Sequence, residues 1–138
     1  MTREDDLARR LVTVPGIGVI NATALVAAVG DASAFAKARD LAAWLGLTPR
    51  QHSTGGKTKM LGISKRGNRY LRTQLIHGAR AAMRHFAERP TALGAWIRNL
   101  LARAHPNVVV VALAAKLARI AWAVLRRGDA YRPQASLT

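Results

Sequence analysis

The chain has no cysteine among its 138 residues, and it does not begin with the apolar segment of a secretory signal peptide. Without cysteine there is no disulfide framework, no thiolate-held iron–sulfur cluster and no cysteine nucleophile. One stretch, residues 108–125, is apolar enough to suggest a membrane span. However, Lys116 and Arg119 near its middle would each cost about 2.5–3.5 kcal/mol at the bilayer centre. We therefore expect a core helix, no membrane partner and a cytoplasmic location.

Acidic residues are also scarce, and none occurs between Leu41 and Ala87. The seven carboxylates are Glu4, Asp5, Asp6, Asp31, Asp40, Glu88 and Asp129. A two-metal nuclease needs several carboxylates that converge on two cations about 4 Å apart. These seven are too few and too scattered, and His77 and His85 lie eight residues apart with no carboxylate between them. The sequence therefore predicts no metal site in this chain.

Basic residues, by contrast, are abundant: 22 Lys and Arg give a formal net charge of +15. Half of the residues are apolar, so the chain can bury a core and is not a disordered basic tail. At this charge density the usual partner is a polyanion, and nucleic acid is the commonest one. A basic surface that serves only solubility, or a ribosomal role, is the alternative.

Apolar residues recur with helical spacing along most of the chain, which predicts one compact, mostly all-α domain over residues 1–138. A Pro-Gly-apolar-Gly turn between two short helices predicts a helix-hairpin-helix over residues 7–29. Gly16 and Gly18 would let the backbone turn tightly and expose amides that bind a DNA phosphate without reading sequence. The alternative is a plain helical hairpin whose glycines serve only the turn. We expect five residues of the second helix to face inward: Val19, Ala22, Leu25, Val26 and Val29.

A basic, glycine-rich loop is predicted over residues 47–67, after a third short helix at 38–45 whose Trp44 packs in the core. Residues 48–63 form either a short β-hairpin or an irregular loop. Ser53 can attack a phosphodiester to form a phosphoserine, if cations and backbone amides stabilise the charge that develops on phosphorus. Thr54 is the neighbouring alternative, and a turn held by hydroxyl–backbone hydrogen bonds is the non-catalytic interpretation.

A long basic helix is predicted over residues 68–86, with Ser64 or Asn68 as its N-cap. Its arginines fall within about a third of the helix circumference: Arg66, Arg69, Arg72, Arg80 and Arg84. The neighbouring apolar face is formed by Leu71, Leu75, Ala79, Ala82 and Phe86. Because no carboxylate lies between Leu41 and Ala87, the stripe is interpreted as facing phosphate, with a solvated face as the alternative. Further helices are expected over residues 91–127, the last of them capped by Asn107.

Several segments together resemble the C-terminal domain of the insertion-sequence-110 transposase family, and most closely its 1111 branch. They are VPGIG at 14–18, Asp31, Phe35, LAAWLGLTPRQHSTGGK at 41–57, GISKRGNRYLR at 62–72, AW at 121–122 and YRP at 131–133. The resemblance implies a DNA recombinase that acts through serine phosphodiester exchange. It also implies a homo-oligomer and, in some members, a guide (bridge) RNA.

Carried over by motif, the nucleophile is Ser53 in the segment His-Ser-Thr-Gly-Gly. Family variants place the serine immediately before the first glycine, where this chain has Thr54. The DNA-binding residues that we predict are Gly16, Gly18, Gly55, Gly56, Lys57, Lys59, Lys65, Arg66, Asn68, Arg69, Arg72, Arg80 and Arg84.

The family also has an N-terminal acidic domain that binds magnesium, and the sequence given contains no such domain. We therefore expect the chain to be either a fragment of a longer transposase or a truncated gene product, with magnesium bound only when that domain is present. The expected function is that of a transposase domain that binds DNA but does not complete transposition alone. A non-catalytic DNA-binding module is the alternative.

Overall fold

The computed structural model describes residues 2–47 and 65–133, and for residues 65–68 it describes the backbone only. Over these residues the chain is helical and has no strand, which confirms the mostly all-α prediction. The helices are α1 (Arg3–Val12), α2 (Val19–Val29), α3 (Ala38–Trp44), α4 (Lys65–Ala87), α5 (Ala92–Leu101) and α6 (Pro106–Arg127). The predicted loop element at 48–63, whether hairpin or irregular, lies outside the described residues.

Helix α1 begins with a capping box between Thr2 and Asp5. The Thr2 hydroxyl accepts from the Asp5 amide at 3.0 Å, and the Asp5 carboxylate accepts from the Thr2 amide at 3.4 Å. Three acidic residues occupy the first turn, where they stabilise the positive end of the helix dipole. Leu7 and Leu11 are buried as the apolar spacing predicts.

Helix α2 has the predicted bounds, but one of its residues was assigned to the wrong face. Ala22, Leu25 and Val26 are buried, whereas Val19 is 67% exposed. Because this helix is apolar almost all round, its sequence does not distinguish the packed face from the exposed one. Val19 is the first residue of α2 and directly follows the turn between α1 and α2.

Helix α3 ends in a Schellman motif around Gly46, whose φ is +75°. The Gly46 amide donates to the Ala43 carbonyl, and the Leu47 amide donates to the Ala42 carbonyl, both at 2.9 Å. A side chain at Gly46 would also meet the Arg72 guanidinium, since an added Cβ would lie 2.7 Å from Nη1. Gly46 thus both ends the helix and makes room for Arg72.

Two predicted helix starts are corrected by the structure. Helix α4 begins at Lys65, so Asn68 lies inside the helix and is not its N-cap; Ser64 lies outside the described residues. Helix α6 begins at Pro106, and its N-cap is His105, whose Nδ1 accepts from the Asn107 amide at 3.0 Å. Asn107 is therefore not the cap, because Pro106 is already suited to the first helical position.

Helix α6 is the central packing element of the core. Its buried residues include Val109, Val110, Leu113, Leu117 and Ala121. The predicted apolar face of α4 is confirmed, as Leu71, Leu75, Ala79, Ala82 and Phe86 are all buried. By length and composition α6 is the one helix among the described residues that could cross a membrane, but 56% of its most apolar window is buried inside the domain. That burial is typical of a core helix.

The turn between α1 and α2, residues 14–18, is called the hairpin below. Its backbone packs directly against the backbone in the middle of α4. A Cβ added at Gly78 would collide with the carbonyl oxygen of Gly16. In return, a Cβ at Gly16 would lie 3.1 Å from the Gly78 carbonyl oxygen and 3.0 Å from Leu117 Cδ1. Gly16 has a φ of +98°, which L side chains rarely adopt. The two glycines therefore fix where the hairpin sits on α4.

Candidate nucleic-acid interface

The N-terminus of α2, which directly follows the hairpin, is not covered by other parts of the described structure. Its N-cap, Gly18, has no side chain to accept from the first-turn amides, and nothing lies within 4 Å of a Cβ added there. The next two residues, Val19 and Ile20, are 67% and 72% exposed. The first amides of a helix have no partner inside it, so this end can bind an anion.

One face of α4 carries a continuous row of exposed residues, which we call the α4 ridge: Arg69, Thr73, His77, Arg80 and Arg84. Their spacings of four, four, three and four residues keep them on one face of the helix, and the row extends over about 22 Å. Three of the five carry a permanent positive charge. The arginine stripe that the sequence predicts is therefore exposed at these three positions.

The hairpin and the α4 ridge meet in a cleft of about 480 Å³, which we call the hairpin cleft. It is lined by Gly16, Gly18, Val19, Ile20, Asn21, Gln74, His77 and Gly78. His77 belongs to both the cleft and the ridge. The open end of α2 and the arginine row consequently form parts of one surface.

The sequence interpretation missed the polar residues of this cleft. Asn21 is only 6% exposed, and its side-chain oxygen and nitrogen have no hydrogen-bond partner among the described residues. Such unsatisfied groups are rare in folded proteins and call for an explanation. Asn21 was the available signal, since it is one of only two polar residues in α2. Gln74 could not be found in this way, because its position beside the hairpin depends on the Gly16–Gly78 contact.

Ridge arginines have no carboxylate partner in the described structure, where all three ion pairs lie elsewhere. Arg80 instead donates to the Asn107 side-chain oxygen at 3.1 Å, which connects α4 to the start of α6. Arg72, the remaining predicted stripe member in the described part, is half-buried beside Gly46 and not on the ridge. The ridge is therefore a cationic surface without internal neutralisation.

Some of the acidic residues make contacts within the fold, and Asp31 is the clearest case. Its carboxylate lies 2.9 Å from Arg3 and 3.7 Å from Arg126, so it connects α1 and α6 to the end of α2. Hydrogen bonds from Ser33, reinforced by the two arginines, hold the pKa of Asp31 below its ordinary value. Among the described residues no group of three or more acidic, His or Cys side chains could hold a metal ion. The resemblance assigns magnesium to the N-terminal acidic domain and not to these residues.

The predicted nucleophile and most of its surrounding groups lie outside the described residues: Ser53, Thr54, Gly55, Gly56, Lys57 and Lys59. Lys65, Arg66 and Asn68 lie on the first turn of α4, with only their backbone described. The structure thus brings together Gly18, Arg69, Arg80 and Arg84 along one surface. Gly16 serves the turn and the packing on α4.

Comparison with known proteins shows which family the chain belongs to. Residues 8–100 match the Transposase IS116/IS110/IS902 family. A probable family 20 transposase of Pseudomonas aeruginosa is 55% identical over 131 residues, which cover 95% of this chain and 39% of that protein. The transposase of IS1111A from Coxiella burnetii is 45% identical over 132 residues, 96% of this chain and 36% of that protein.

A pilin gene-inverting protein of Moraxella bovis is 32% identical over 130 residues, covering 87% of this chain and 37% of that protein. The chain thus spans a little over a third of the length of these relatives. The family match covers more than half of the chain, and the resemblance to the 1111 branch found in the sequence is confirmed. The chain belongs to the IS110 family of insertion-sequence transposases.

Proposed function

We propose that this chain binds DNA as a domain of an insertion-sequence transposase and that Ser53 attacks a DNA phosphodiester during transposition. DNA phosphates would lie along the α4 ridge, with one of them at the N-terminus of α2. Such contacts hold the duplex in place and read no sequence. The expected location is the cytoplasm, where bacterial DNA lies.

The observation that carries the DNA-binding part is the meeting of two phosphate-binding features in one surface. The first three residues of α2 line the hairpin cleft, and His77 joins this cleft to three arginines that no described carboxylate neutralises. Asn21 adds a side-chain amide that has no partner in the described fold. No one of these features identifies the ligand by itself, but their common location favours a polyanion.

The salt dependence of duplex binding tests this part. Each phosphate neutralised on duplex DNA contributes about −0.9 to the slope of log affinity against log salt. Arg84→Gln should make the slope shallower by about 0.9 and weaken binding to all sequences equally. Arg103→Gln, a matched change on an exposed residue after α5, should leave the slope unchanged. A slope near zero for the unmodified chain would contradict DNA binding.

The catalytic part rests on the family and on the motif around Ser53. In the step we propose, the Ser53 oxygen bonds to phosphorus, and one bridging oxygen of the DNA leaves. The serine hydroxyl gives up its proton, while the displaced sugar oxygen takes one up. The bond energy is kept in the phosphoserine for rejoining. The cations that we assign to the developing charge are close to Ser53 in sequence: Lys57, Lys59, Lys65 and Arg66.

A covalent adduct between the chain and DNA tests the catalytic part. The acidic domain that the resemblance implies is supplied in trans with a cleavable DNA end, and the adduct is resolved on a denaturing gel. Ser53→Ala should abolish the adduct, while Thr54→Ala should retain it. An adduct that still forms in Ser53→Ala would contradict the assignment of Ser53 as the nucleophile and would favour Thr54. Absence of any adduct, with duplex binding intact, would support the non-catalytic DNA-binding module instead.

A guide RNA, a homo-oligomer and a magnesium-binding partner domain are proposals that come from the resemblance alone.

A further inference from the structure

A second cleft, of about 590 Å³, lies between α5, α6 and the segment 129–133 that follows α6. We call it the tail cleft. The lining residues that matter are Trp96, Lys116, Arg127, Asp129, Tyr131 and Arg132. None of the residues that line it also lines the hairpin cleft, so the two clefts are separate sites.

Two aromatic side chains form part of the tail cleft, and both are half-buried. Trp96 comes from α5, and Tyr131 comes from the segment after α6. Burial raises the pKa of the Tyr131 phenol, so the ring stands in a partly apolar setting. Aromatic faces of this kind stack on nucleobases irrespective of base identity.

Positive charge dominates the same cleft, where Lys116, Arg127 and Arg132 outnumber the carboxylate of Asp129. The Lys116 ammonium lies 5.6 Å from the ring centroid of Trp96, and no described carboxylate pairs with it. Its half-buried position, with Arg119 nearby, lowers the pKa of Lys116. An anion in the cleft would stabilise a charge that the fold leaves partly desolvated.

The wall of the tail cleft that residues 129–133 form is fixed by contacts with the rest of the fold. Helix α6 ends at Gly128, whose left-handed φ of +78° turns the chain. The Tyr131 amide then donates to the Thr13 hydroxyl at 2.8 Å, and Thr13 donates to the Arg10 carbonyl at 2.6 Å. The cleft is thus formed before any ligand binds, which reduces the entropy cost of binding.

We propose that the tail cleft binds one unpaired nucleotide of a single-stranded nucleic acid, with its base against Trp96 and Tyr131 and its phosphate against Lys116 and Arg127. A base within a duplex is stacked and paired, so its face is not available to these rings. An acidic peptide would match the cations but would leave the aromatic faces unused. The site lies outside the surface proposed for duplex DNA and does not depend on it.

Binding of short labelled oligonucleotides to the full chain, measured by fluorescence anisotropy, tests the proposal. A thymidine hexamer should bind about tenfold more tightly than an abasic hexamer with the same number of phosphates, because only the former has bases to stack. A uridine hexamer is measured in parallel, and the tighter of the two base-bearing probes identifies DNA or RNA as the source. Equal affinity for hexamers with and without bases would overturn the proposal, as would no binding of either base-bearing hexamer.

A pair of variants on α6 locates the binding. Lys116→Met keeps the length of the side chain and removes its charge, and it should weaken the thymidine hexamer about tenfold while duplex binding changes less than twofold. Arg119→Met removes the same charge one turn away, outside the cleft, and should change hexamer binding less than twofold. Thermal unfolding confirms that both variants are folded. Hexamer affinities that fall equally in the two variants would show a general charge effect and refute the site.

Discussion

The contact between Gly16 and Gly78 predicts that Gly78→Ala destabilises the fold, although alanine is the better helix former. In an exposed helix interior this substitution would stabilise by about 1 kcal/mol. Here the added Cβ collides with the Gly16 carbonyl oxygen and would lie 3.0 Å from its carbonyl carbon, so backbone has to move. Overpacking of this kind costs about 1–3 kcal/mol. The upper end applies because neither obstacle is a flexible side chain.

The expected net effect is therefore a loss of about 2 kcal/mol, the difference between overpacking near 3 and a propensity gain near 1. For a domain of this size that corresponds to a fall in Tm of about 6–10 °C, measured by circular dichroism at 222 nm. Ala81→Gly, at an exposed position of the same helix, is the matched control and should lose only about 1 kcal/mol. A Gly78→Ala protein that is as stable as the unmodified chain, or more so, would refute the close approach of hairpin and helix.

Two further predictions concern the ion pairs and the core. Since the pKa of Asp31 is lowered on folding, its contribution is present above the ordinary carboxyl pKa and is lost only as the pH falls below that value and through the lowered pKa. Asp31→Asn should thus lower the denaturant midpoint at pH 7, and the difference from the unmodified chain should shrink as the pH falls below the ordinary carboxyl range; a constant difference would argue against the ion pairs. Leu113→Ala, at a fully buried position of α6, should cost about 2–5 kcal/mol, whereas Val111→Ala at a 43% exposed position should cost less than about 1 kcal/mol. Similar losses at both positions would contradict the assigned inner face.

Sequence periodicity was sufficient for the helices and for most of the core. Spacing of apolar residues predicted the bounds of α2 and the buried face of α4, because these depend on local geometry that the sequence encodes directly. It failed for Val19, where an apolar helix offers no contrast between faces. It also failed for Asn107, where the Pro106 ring suits the first helical position and moves the cap to His105.

The candidate interface was only partly predictable, since it depends on contacts between distant segments. Arg69, Arg80 and Arg84 followed from helical spacing, but Arg72 is drawn against Gly46 by tertiary packing. Asn21, Gln74 and His77 reach one cleft because the hairpin sits on Gly78, sixty-two positions after Gly16 in the sequence. A glycine inside a long helix, which costs about 1 kcal/mol, was the one local sign of that contact.

Removal of a single backbone donor at the N-terminus of α2 tests phosphate binding at this helix end most directly. Val19→Pro deletes the amide at the first helical position, where proline fits. The preceding residue, Gly18, already has the extended conformation that proline requires, with φ −86° and ψ −178°. Ala38→Pro makes the same change at the first position of α3, outside the hairpin cleft.

Duplex affinity of the two proline variants is compared at fixed low salt, with Tm measured as a control for folding. We predict that Val19→Pro weakens DNA binding about tenfold, the effect of losing one charge-assisted hydrogen bond to phosphate, with Tm nearly unchanged. Ala38→Pro should leave DNA binding unchanged. Equal affinity of Val19→Pro and the unmodified chain would contradict phosphate binding at this helix end.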